Sequence, residues 1–418
     1  MSLTTRVLIG LVAGFLLGLA LAARHVPGGD AVLSTLAIAG TIFINLIRMT
    51  VLPLVAAMLV ASVGSLASSG ALGQAGSRAA LLAVVLLVVV TLVTVLVAAP
   101  TLAAIDIDQM AAMALRPPSA PGAAGGPPTA GAPSIAQWFV DLVPPNVVKA
   151  GADGAMLPVI VFSVLFGLAL AGVTADRRDS VLRGVEGIAD AMQRLVAWIL
   201  ELAPIGVFAL AAPLASKLGL AAAGAVAAYV ALVVGLTIGV GIAILYPLGV
   251  VAARMPLRQF VAYCMPAQAV AFASRSSLAA LPAMVESAER AGLPPVAAGF
   301  ILPLAASVFR IGGAVAMPVG ALFLARLYGV PVSTPQLASV VFATVLASFA
   351  VPGIPGGSII AMVPVLAAAN VPVDGIGILL AVDTIPDMFR TTENVTGSLT
   401  LAAILGRQHS ADAVQITL

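Results

Sequence analysis

The chain has 418 residues, of which 61% are hydrophobic and only 9% are charged. Soluble domains carry about 25% charged residues, so this composition defines an integral membrane protein with a lipid bilayer around it. A net charge of +2 without a basic stripe gives no support to nucleic acid as a partner. Cys264 is alone, and His25 and His409 lie outside the apolar runs, so the sequence predicts no disulfide, no metal, no cofactor and no histidine-based catalysis.

Eight apolar runs are long enough to cross about 30 Å of hydrocarbon. The first resembles a signal peptide over Leu3–Ala23, but further spans follow it directly, so we interpret it as a retained helix. The predicted spans are Thr5–Ala22, Ala37–Val63, Ala79–Ala104, Ile135–Val173, Met192–Ala215, Ala221–Val251, Ala297–Leu327 and Gly375–Leu405.

Two further apolar segments, Gln259–Ala291 and Ser333–Val371, are interrupted by Ser-Arg-Ser-Ser and by Pro-Gly-Ile-Pro-Gly-Gly-Ser. Broken helices at membrane depth need protein or a cavity beside their free backbone groups, so both segments are predicted to be re-entrant helical hairpins. The predicted fold is an all-α polytopic membrane protein with eight transmembrane helices and two hairpins. Each hairpin precedes a full span, which suggests inverted repeats, Gln259–Leu327 and Ser333–Leu405, with a substrate site where they meet.

The loops predict the orientation of the chain in the membrane. The stretch Arg116–Pro133 is rich in Pro, Gly and Ala and is interpreted as a flexible extramembrane loop. Basic residues are more frequent in one set of alternate loops, which predicts that both termini are cytoplasmic. The expected location is the cell inner (plasma) membrane. That set holds Arg6, Arg78, Arg177, Arg178, Arg183, Arg194, Arg254 and Arg258.

One polar stripe stands out in the last span. At roughly 100° per residue, its members fall within about 80° of each other on a helix. A charge that faces lipid costs roughly 2.5–3.5 kcal/mol, so the stripe must face protein or a wet cavity. It offers carboxylates, a guanidinium and a carboxamide, enough to bind a small zwitterion. The members are Asp383, Asp387, Arg390, Asn394 and Ser398.

Several motifs resemble the glutamate transporter family, the dicarboxylate/amino acid:cation symporters. Ser274-Arg-Ser-Ser-Leu-Ala-Ala-Leu-Pro282 is similar to its serine-rich hairpin tip, and Gly353-Ile-Pro-Gly-Gly-Ser358 to its second tip. Asp387-Met-Phe-Arg-Thr-Thr-Glu-Asn-Val-Thr-Gly397 resembles its final-helix signature. Val143-Pro-Pro-Asn146 and Ala203-Pro-Ile-Gly-Val-Phe208 fit its scaffold helices.

The resemblance implies a homotrimer in which a transport domain slides past a scaffold, elevator fashion. It implies scaffold helices in 1–75 and 135–220, transport-domain helices in 76–107 and 221–256, and an extracellular loop in 108–134. Hairpins would occupy 257–294 and 331–370, and the seventh and eighth helices 295–330 and 371–418.

The resemblance also assigns the binding residues. Asp387 would receive the substrate ammonium, Arg390 would clamp a side-chain carboxylate, and Asn394 would bind the main-chain carboxylate. Arg forms bidentate, charge-assisted bonds to carboxylates, which agrees with an acidic amino acid. The further predicted binding residues are Thr391, Arg275, Ser276, Ser277, Gly353, Ile354, Pro355, Gly356 and Gly357. Of these, Gly353, Pro355 and Gly356 would act as the gate.

The departures from the family concern sodium. Its seventh helix carries an Asn and an Asp that coordinate sodium, whereas this chain reads Phe309-Arg-Ile-Gly-Gly313. Ser398 replaces an aspartate, and Leu81–Val90 has no polar side chain where the sodium-coupled members place hydroxyls. Hard cations need several oxygen ligands, so side-chain sodium sites are not expected, although a site of backbone carbonyls stays open.

Three residues are candidates for coupling or charge compensation. Arg310 would replace the charge of a bound sodium. Glu393 lies about 100° around the helix from Asn394, and two hypotheses apply: it pairs with Arg310, or it carries a proton. Desolvation and pairing act on a buried carboxylate in opposite directions, so the sequence alone does not decide. Asp383 is expected to bind a neighbouring backbone group rather than substrate.

The sequence therefore predicts a transporter rather than an enzyme: a secondary active carrier of aspartate or glutamate, sodium-independent, driven by protons, or running as an exchanger or uniporter. The alternatives are a C4-dicarboxylate carrier, against which Asp387 argues, and a neutral amino acid carrier, against which Arg390 argues. An anion channel and an intramembrane hydrolase using Asp383 and Asp387 are the remaining alternatives.

Overall fold

A computed structural model describes residues 3–24, 28–68, 74–104, 140, 142–153, 155–218, 220–351 and 356–416. Every regular element in these ranges is helical. In chain order the helices are α1 Leu3–Arg24, α2 Gly29–Ser68, α3 Gln74–Ala103, α4 Val147–Ala152, α5 Met156–Ala169, α6 Ala175–Glu201, α7 Ala203–Leu218, α8 Leu220–Val240, α9 Tyr246–Val251, α10 Leu257–Ser274, α11 Leu281–Arg290, α12 Leu302–Val308, α13 Ile311–Leu327, α14 Thr334–Ser348, α15 Gly357–Ile360, α16 Val363–Ala368, α17 Ile376–Val382 and α18 Thr384–Ile416.

Among the described residues, five stretches are long and apolar enough to cross a membrane. They are Thr5–Ala23, Gly29–Ser65, Arg78–Ala103, Gly224–Val251 and Ala297–Leu327. A sixth span results if α6 and α7 are taken together. These findings agree with an all-helical integral membrane protein, whereas the number of eight spans stays a prediction.

The predicted span Met192–Ala215 is wrong as one continuous helix. It crosses the junction of α6 and α7, whose axes differ by 57°. Pro204 explains the bend, since it lacks an N–H group and its ring clashes with the carbonyl four residues earlier, which stops α6 at Glu201. Most of α6 lies before the predicted start of this span, because its many charged residues break the apolar run.

The predicted span Ile135–Val173 is also divided in its described part. Here α4 and α5 are separate helices, and α4 begins at a polar cap where the Asn146 side chain accepts a hydrogen bond from the Lys149 N–H at 3.0 Å. Such a cap satisfies one of the free N–H groups at a helix start, so Asn146 defines a helix boundary within the predicted span. Hydropathy alone does not register this boundary.

Helices α1 and α7 pack with their backbones unusually close together. A Cβ atom added to Gly10, Gly14 or Gly18 would lie 2.3, 2.5 or 2.1 Å from a carbonyl oxygen of α7. These glycines recur every fourth residue and therefore share one helix face. Small residues at this spacing allow the close approach of membrane helices, so the glycine stripe holds α1 against α7.

Helix α18 is the centre around which the second half of the chain packs. It contacts α3, α8, α10, α12 and α13, and Val395, Leu399 and Ala402 on it are fully buried. The two hairpin segments consist of helices that pack against each other, α10 with α11 and α14 with α16. The loop Arg116–Pro133 and most of the second hairpin tip lie outside the described residues. The predicted division into scaffold and transport domain stays a prediction.

Candidate functional site

The candidate site begins where α17 ends and α18 starts. Val382 is the last residue of α17, and Thr384 is the first of α18. Pro386, in the first turn of α18, cannot donate to the carbonyl of Val382 and clashes with it, which ends α17 there. Asp383 lies between the two helices with near-helical angles, φ −64° and ψ −19°. The polar stripe of the last span therefore continues across the junction.

Asp383, Asp387 and Arg390 form one buried charged cluster. Arg390 Nη2 donates to Asp383 Oδ2 at 2.8 Å and to Asp387 Oδ1 at 2.9 Å. The side chains of Arg390, Asp383 and Asp387 are 1%, 4% and 9% exposed. Asp383 was expected to bind a neighbouring backbone group, and this expectation is wrong: its hydrogen-bonded side-chain oxygen accepts from Arg390.

The same cluster keeps polar atoms that are not satisfied internally. No described residue accepts from Arg390 Nε or Nη1, and none donates to Asp383 Oδ1 or Asp387 Oδ2. Buried polar atoms in proteins nearly always have a hydrogen-bond partner. The cluster thus offers two guanidinium donors for a carboxylate and carboxylate oxygens for an ammonium group.

Asn394 connects the cluster to the break between α12 and α13. Its Oδ1 accepts a hydrogen bond from the Gly312 N–H at 2.8 Å. The first N–H groups of a helix have no partner within the helix, so Asn394 caps α13 from another element. This bond fixes the carboxamide and leaves its Nδ2 as a donor for a substrate carboxylate.

Gly312 permits this contact because it has no side chain. A Cβ atom at this position would lie 2.6 Å from the carbonyl oxygen of Arg390. At Gly397, an added Cβ atom would lie 2.9 Å from Ile311 and 3.0 Å from Phe309. The start of α13 and the binding face of α18 therefore touch through two glycines.

The first hairpin tip reaches the junction of α17 and α18. Arg275 has a left-handed conformation, φ 54°, directly after α10. Its Nη1 donates to the hydroxyl of Thr384 at 3.4 Å, next to Asp383 in the chain. Within the tip, the Ser276 hydroxyl accepts from the Ala279 N–H at 3.2 Å, and Ser277 is buried. The structure thus brings Arg275 close to the charged cluster.

The second hairpin is described only in part. Gly353, Ile354 and Pro355 lie outside the described residues, so their predicted gate role stays a prediction. Gly356 adopts φ 76°, and a Cβ atom on it would lie 3.1 Å from Leu380 on α17. Gly357 starts α15 and is buried. The end of the tip therefore packs close to the helix that leads into Asp383.

Arg310 and Glu393 are buried but are not paired with each other. Arg310 is 2% exposed and Glu393 is 4% exposed. No described residue hydrogen-bonds to Arg310 Nε or Nη1, or to either carboxylate oxygen of Glu393. The ion pairs of the described residues do not include one between Arg310 and Glu393. The hypothesis of a structural Arg310–Glu393 pair thus has no geometric support in this conformation.

Thr391 and Ser398 are two further predicted residues on α18, and both are buried. Thr391 is buried on α18 beside the charged cluster in sequence. The Ser398 hydroxyl donates to the carbonyl of Asn394 at 2.9 Å, one turn earlier on its own helix. Ser398 therefore uses its hydrogen in a local helical bond.

The sequence analysis missed several residues that build the site. Tyr263 Oη donates to the Leu399 carbonyl at 3.2 Å, and Gln268 Nε2 donates to Thr396 Oγ1 at 2.7 Å. These two bonds join α10 to α18. Tyr229 on α8 is fully buried and lies near Asp383 and Arg390. Such residues look like ordinary helix-packing positions in a sequence, because their partners are distant in the chain.

Two hydroxyl groups on α3 were also missed. Thr91 and Thr94 follow the apolar stretch Leu81–Val90 directly and are fully buried. No described residue hydrogen-bonds to either Oγ1 atom. The helix packs against α13 and α18. Helix α3 therefore carries two buried hydroxyl oxygen atoms on a helix that packs against α13 and α18. These oxygen atoms are candidate ligands for a cation.

A buried charged cluster on a broken helix, between two helical hairpins in an apolar chain, is typical of a membrane carrier. Comparison of the sequence with known proteins identifies the family of this carrier. The sequence model of the Sodium:dicarboxylate symporter family matches this chain over residues 3–408, and the chain belongs to that family. Symporters are transporters, which fits the prediction that the protein is not an enzyme.

Three relatives illustrate the range of the family. The chain is 29% identical over 416 residues to a "Proton/glutamate-aspartate symporter" of Escherichia coli (strain K12), covering 98% of this chain and 94% of the relative. It is 29% identical to a "Proton/sodium-glutamate symport protein" of Bacillus caldotenax, covering 96% and 93%. It is 26% identical to a "C4-dicarboxylate transport protein" of Rhizobium leguminosarum, covering 99% and 90%.

Proposed function

We propose that the protein is a secondary active transporter of acidic amino acids, aspartate or glutamate. The observation that carries this proposal is the buried Asp383–Asp387–Arg390 cluster. It combines guanidinium donors with carboxylate oxygens in one water-poor site, which suits a ligand with both carboxylate and ammonium groups. Relatives named as glutamate and aspartate symporters support the same substrate class.

The proposed roles follow the chemistry of each group. Arg390 donates to the side-chain carboxylate from one of its unpartnered nitrogen atoms, Nε or Nη1, and Asp387 receives the ammonium. Asn394 donates from Nδ2 to the main-chain carboxylate while its Oδ1 holds Gly312. Thr391, Ser276 and Ser277 supply further hydrogen bonds, and Arg275 supports the cluster from the first hairpin. Residues 353–357 close over the substrate as a gate.

Coupling to protons, without sodium, is part of the proposal. Phe309, Arg310 and Ile311 stand where sodium-coupled members have oxygen ligands, and a fixed guanidinium at Arg310 repels a further cation. A relative named as a proton/glutamate-aspartate symporter supports protons as the coupling ion. The hydroxyls of Thr91 and Thr94 are the observation that favours sodium instead. Obligatory exchange is the alternative that needs no coupling ion.

The mechanical part of the proposal rests on the family resemblance. The protein would act as a homotrimer in the plasma membrane, with both termini in the cytoplasm. Helices α1, α2 and α4–α7 would form the scaffold, and α3 with α8–α18 the domain that moves in an elevator motion. The close glycine contacts of α1 with α7 and the packing of α18 against α10 and α13 agree with two separate groups of helices.

Counterflow in proteoliposomes tests the substrate. Vesicles loaded with unlabelled aspartate are expected to accumulate a trace of external labelled aspartate, with unlabelled glutamate competing. A passive anion channel would give no such accumulation, since counterflow requires alternate exposure of one site. An absence of counterflow with every acidic amino acid would refute the proposal.

A C4-dicarboxylate carrier is the second candidate, favoured by the relative of that name. Asp387 argues against it, because a plain dicarboxylate brings no ammonium to offset this buried carboxylate. Succinate should therefore compete poorly with labelled aspartate in the counterflow assay. Equal or better competition by succinate would favour the dicarboxylate carrier.

A further inference from the structure

Glu393 is a buried carboxylate that the proposed substrate contacts do not use. It is 4% exposed, and no described residue donates to either of its oxygen atoms. An ionised carboxylate that is buried without a partner costs far more free energy than a neutral one. This environment therefore favours the protonated, neutral form of Glu393.

The surroundings of Glu393 contain one influential charge. The elements packed against α18 carry four buried ionisable side chains: Tyr229 on α8, Tyr263 and Cys264 on α10, and Arg310 before α13. Asp383 and Asp387 lie on its N-terminal side, already bonded to Arg390. Arg390 is the group that interacts electrostatically with Glu393, three residues away on the same helix.

This proximity connects the proton to the substrate. Ionised Glu393 would attract Arg390 and compete with a substrate carboxylate for the same guanidinium. Protonated Glu393 removes this competitor. By linkage, any group whose protonation strengthens substrate binding must also take up a proton when substrate binds.

We propose that Glu393 is the group that carries the transported proton, and that it couples proton and substrate by competing with the substrate for Arg390. The proposal rests on the proposed function. On the outer side Glu393 is protonated and aspartate binds to Arg390. On the cytoplasmic side the substrate leaves, the O–H bond breaks, the proton passes to water and the electron pair stays on the carboxylate. The ionised Glu393 then pairs with Arg390 while the empty carrier returns.

Calorimetry of aspartate binding tests the thermodynamic link. Above the pH at which Glu393 ionises, the Kd of the wild-type protein is expected to rise by about tenfold per pH unit, since one proton is linked to binding. Binding should also take up a proton, detected by repeating the titration in buffers of different ionisation enthalpy. In the Glu393→Gln protein, which imitates the protonated acid, Kd should become independent of pH and the proton uptake should vanish.

Transport provides the second readout. In vesicles, Glu393→Gln should keep aspartate counterflow but lose the extra accumulation that an inward proton gradient gives the wild-type protein. Its melting temperature should stay at or above that of the wild type, because no described ion pair is removed. A structural role for Glu393 would instead lower the melting temperature and leave the pH dependence in place.

Glu393→Asp keeps the proposal testable if the glutamine variant does not fold. This variant still titrates, so proton uptake should persist with a shifted pH dependence of Kd. Retained proton uptake and gradient-driven accumulation in Glu393→Gln, or pH-independent binding in Glu393→Asp, would overturn the role of Glu393. Wild-type protein that neither binds nor exchanges aspartate would instead refute the proposed function.

Discussion

Two groups of buried charge lie on α18 and on the segments packed beside it, and they differ in how they are satisfied. In the first, Arg390 bonds to both Asp383 and Asp387. In the second, Arg310 and Glu393 are equally buried, yet no described residue pairs with them. Paired charges can stay ionised in a low-dielectric site, whereas an unpaired carboxylate there is stable only with a proton. The paired cluster therefore suits a charged ligand, whereas the unpaired Glu393 suits the gain and loss of a proton.

The largest expected effect comes from Arg390→Lys, which keeps the charge but removes the planar pair of donors. The single ammonium group of lysine cannot reproduce the bonds to both aspartates and also keep separate nitrogen donors for a substrate carboxylate. Aspartate binding should weaken by at least about 100-fold, or roughly 3 kcal/mol, as measured by calorimetry. Arg290→Lys is the matched control, since Arg290 lies at the surface and pairs only with Glu286 among the described residues.

Arg390→Lys protein that binds aspartate as tightly as the control would contradict the clamp role. The cluster would then have a structural role only, and its pairing would no longer distinguish a ligand site from the unpaired Arg310 and Glu393.

Asp387→Asn and Asp383→Asn divide the paired cluster into its two acids. Asp387→Asn should weaken aspartate binding by about 10- to 100-fold, because a charge-assisted bond to the ammonium is lost. Succinate, which has no ammonium, should bind no worse. Asp383→Asn should have a smaller effect, since the proposed role of Asp383 is to hold Arg390 rather than to contact substrate. Competition against labelled aspartate measures the affinities of both variants. A larger effect of Asp383→Asn would assign ammonium binding to Asp383 and the positioning of Arg390 to Asp387.

Gly312→Ala tests the contact by which α13 meets the paired cluster. The added Cβ atom would lie 2.6 Å from the Arg390 carbonyl oxygen, so α13 and α18 must separate. Overpacking of this kind costs about 1–3 kcal/mol. The melting temperature in detergent should fall, and aspartate affinity should fall with it.

The control for Gly312→Ala is Gly235→Ala on α8, where an added Cβ atom has no neighbour within 4 Å. Alanine is the better helix former, so this control should match or exceed wild-type stability. Equal melting temperatures of the two variants would mean that the close approach of α13 to α18 is not required.

Tyr229→Phe is expected to have the smallest effect. The hydroxyl is buried, and no described residue hydrogen-bonds to it. Removing it should change stability by no more than about 1 kcal/mol and aspartate affinity only slightly. Thermal unfolding and calorimetry check this result. A large loss of affinity would place Tyr229 among the substrate contacts, and the site would extend onto α8.

Helical spacing predicts from the sequence that the three charged residues share one face, but it does not predict that both aspartates pair with Arg390. Asp383, Asp387 and Arg390 recur at intervals of four and three residues, so they share one face even across the junction at Asp383. Periodicity does not predict the junction itself although Pro386 marks it, because a long apolar run is typical of one continuous helix. The bend at Leu202, before Pro204, was missed for the same reason.

The surroundings of the cluster could not be predicted in this way. The bond between Asn394 and Gly312, the proximity of Arg275 to Thr384 and the burial of Tyr229 join residues 80 or more positions apart, or on different helices. Periodicity reports only which residues share a face, not which elements cover that face. The missing partner of Arg310 is a property of packing, and a sequence cannot show it.

We propose that the site binds an acidic amino acid with its own charges and without sodium. Calorimetry of aspartate binding to the purified protein, in sodium-free buffer and again with saturating sodium, tests it most directly. We expect tight binding in both conditions with little change in Kd, because the role proposed for Arg310 is to replace the charge of a bound cation. Binding that occurs only with sodium would contradict the claim and would assign the buried hydroxyls of Thr91 and Thr94, or backbone carbonyls, to a cation site.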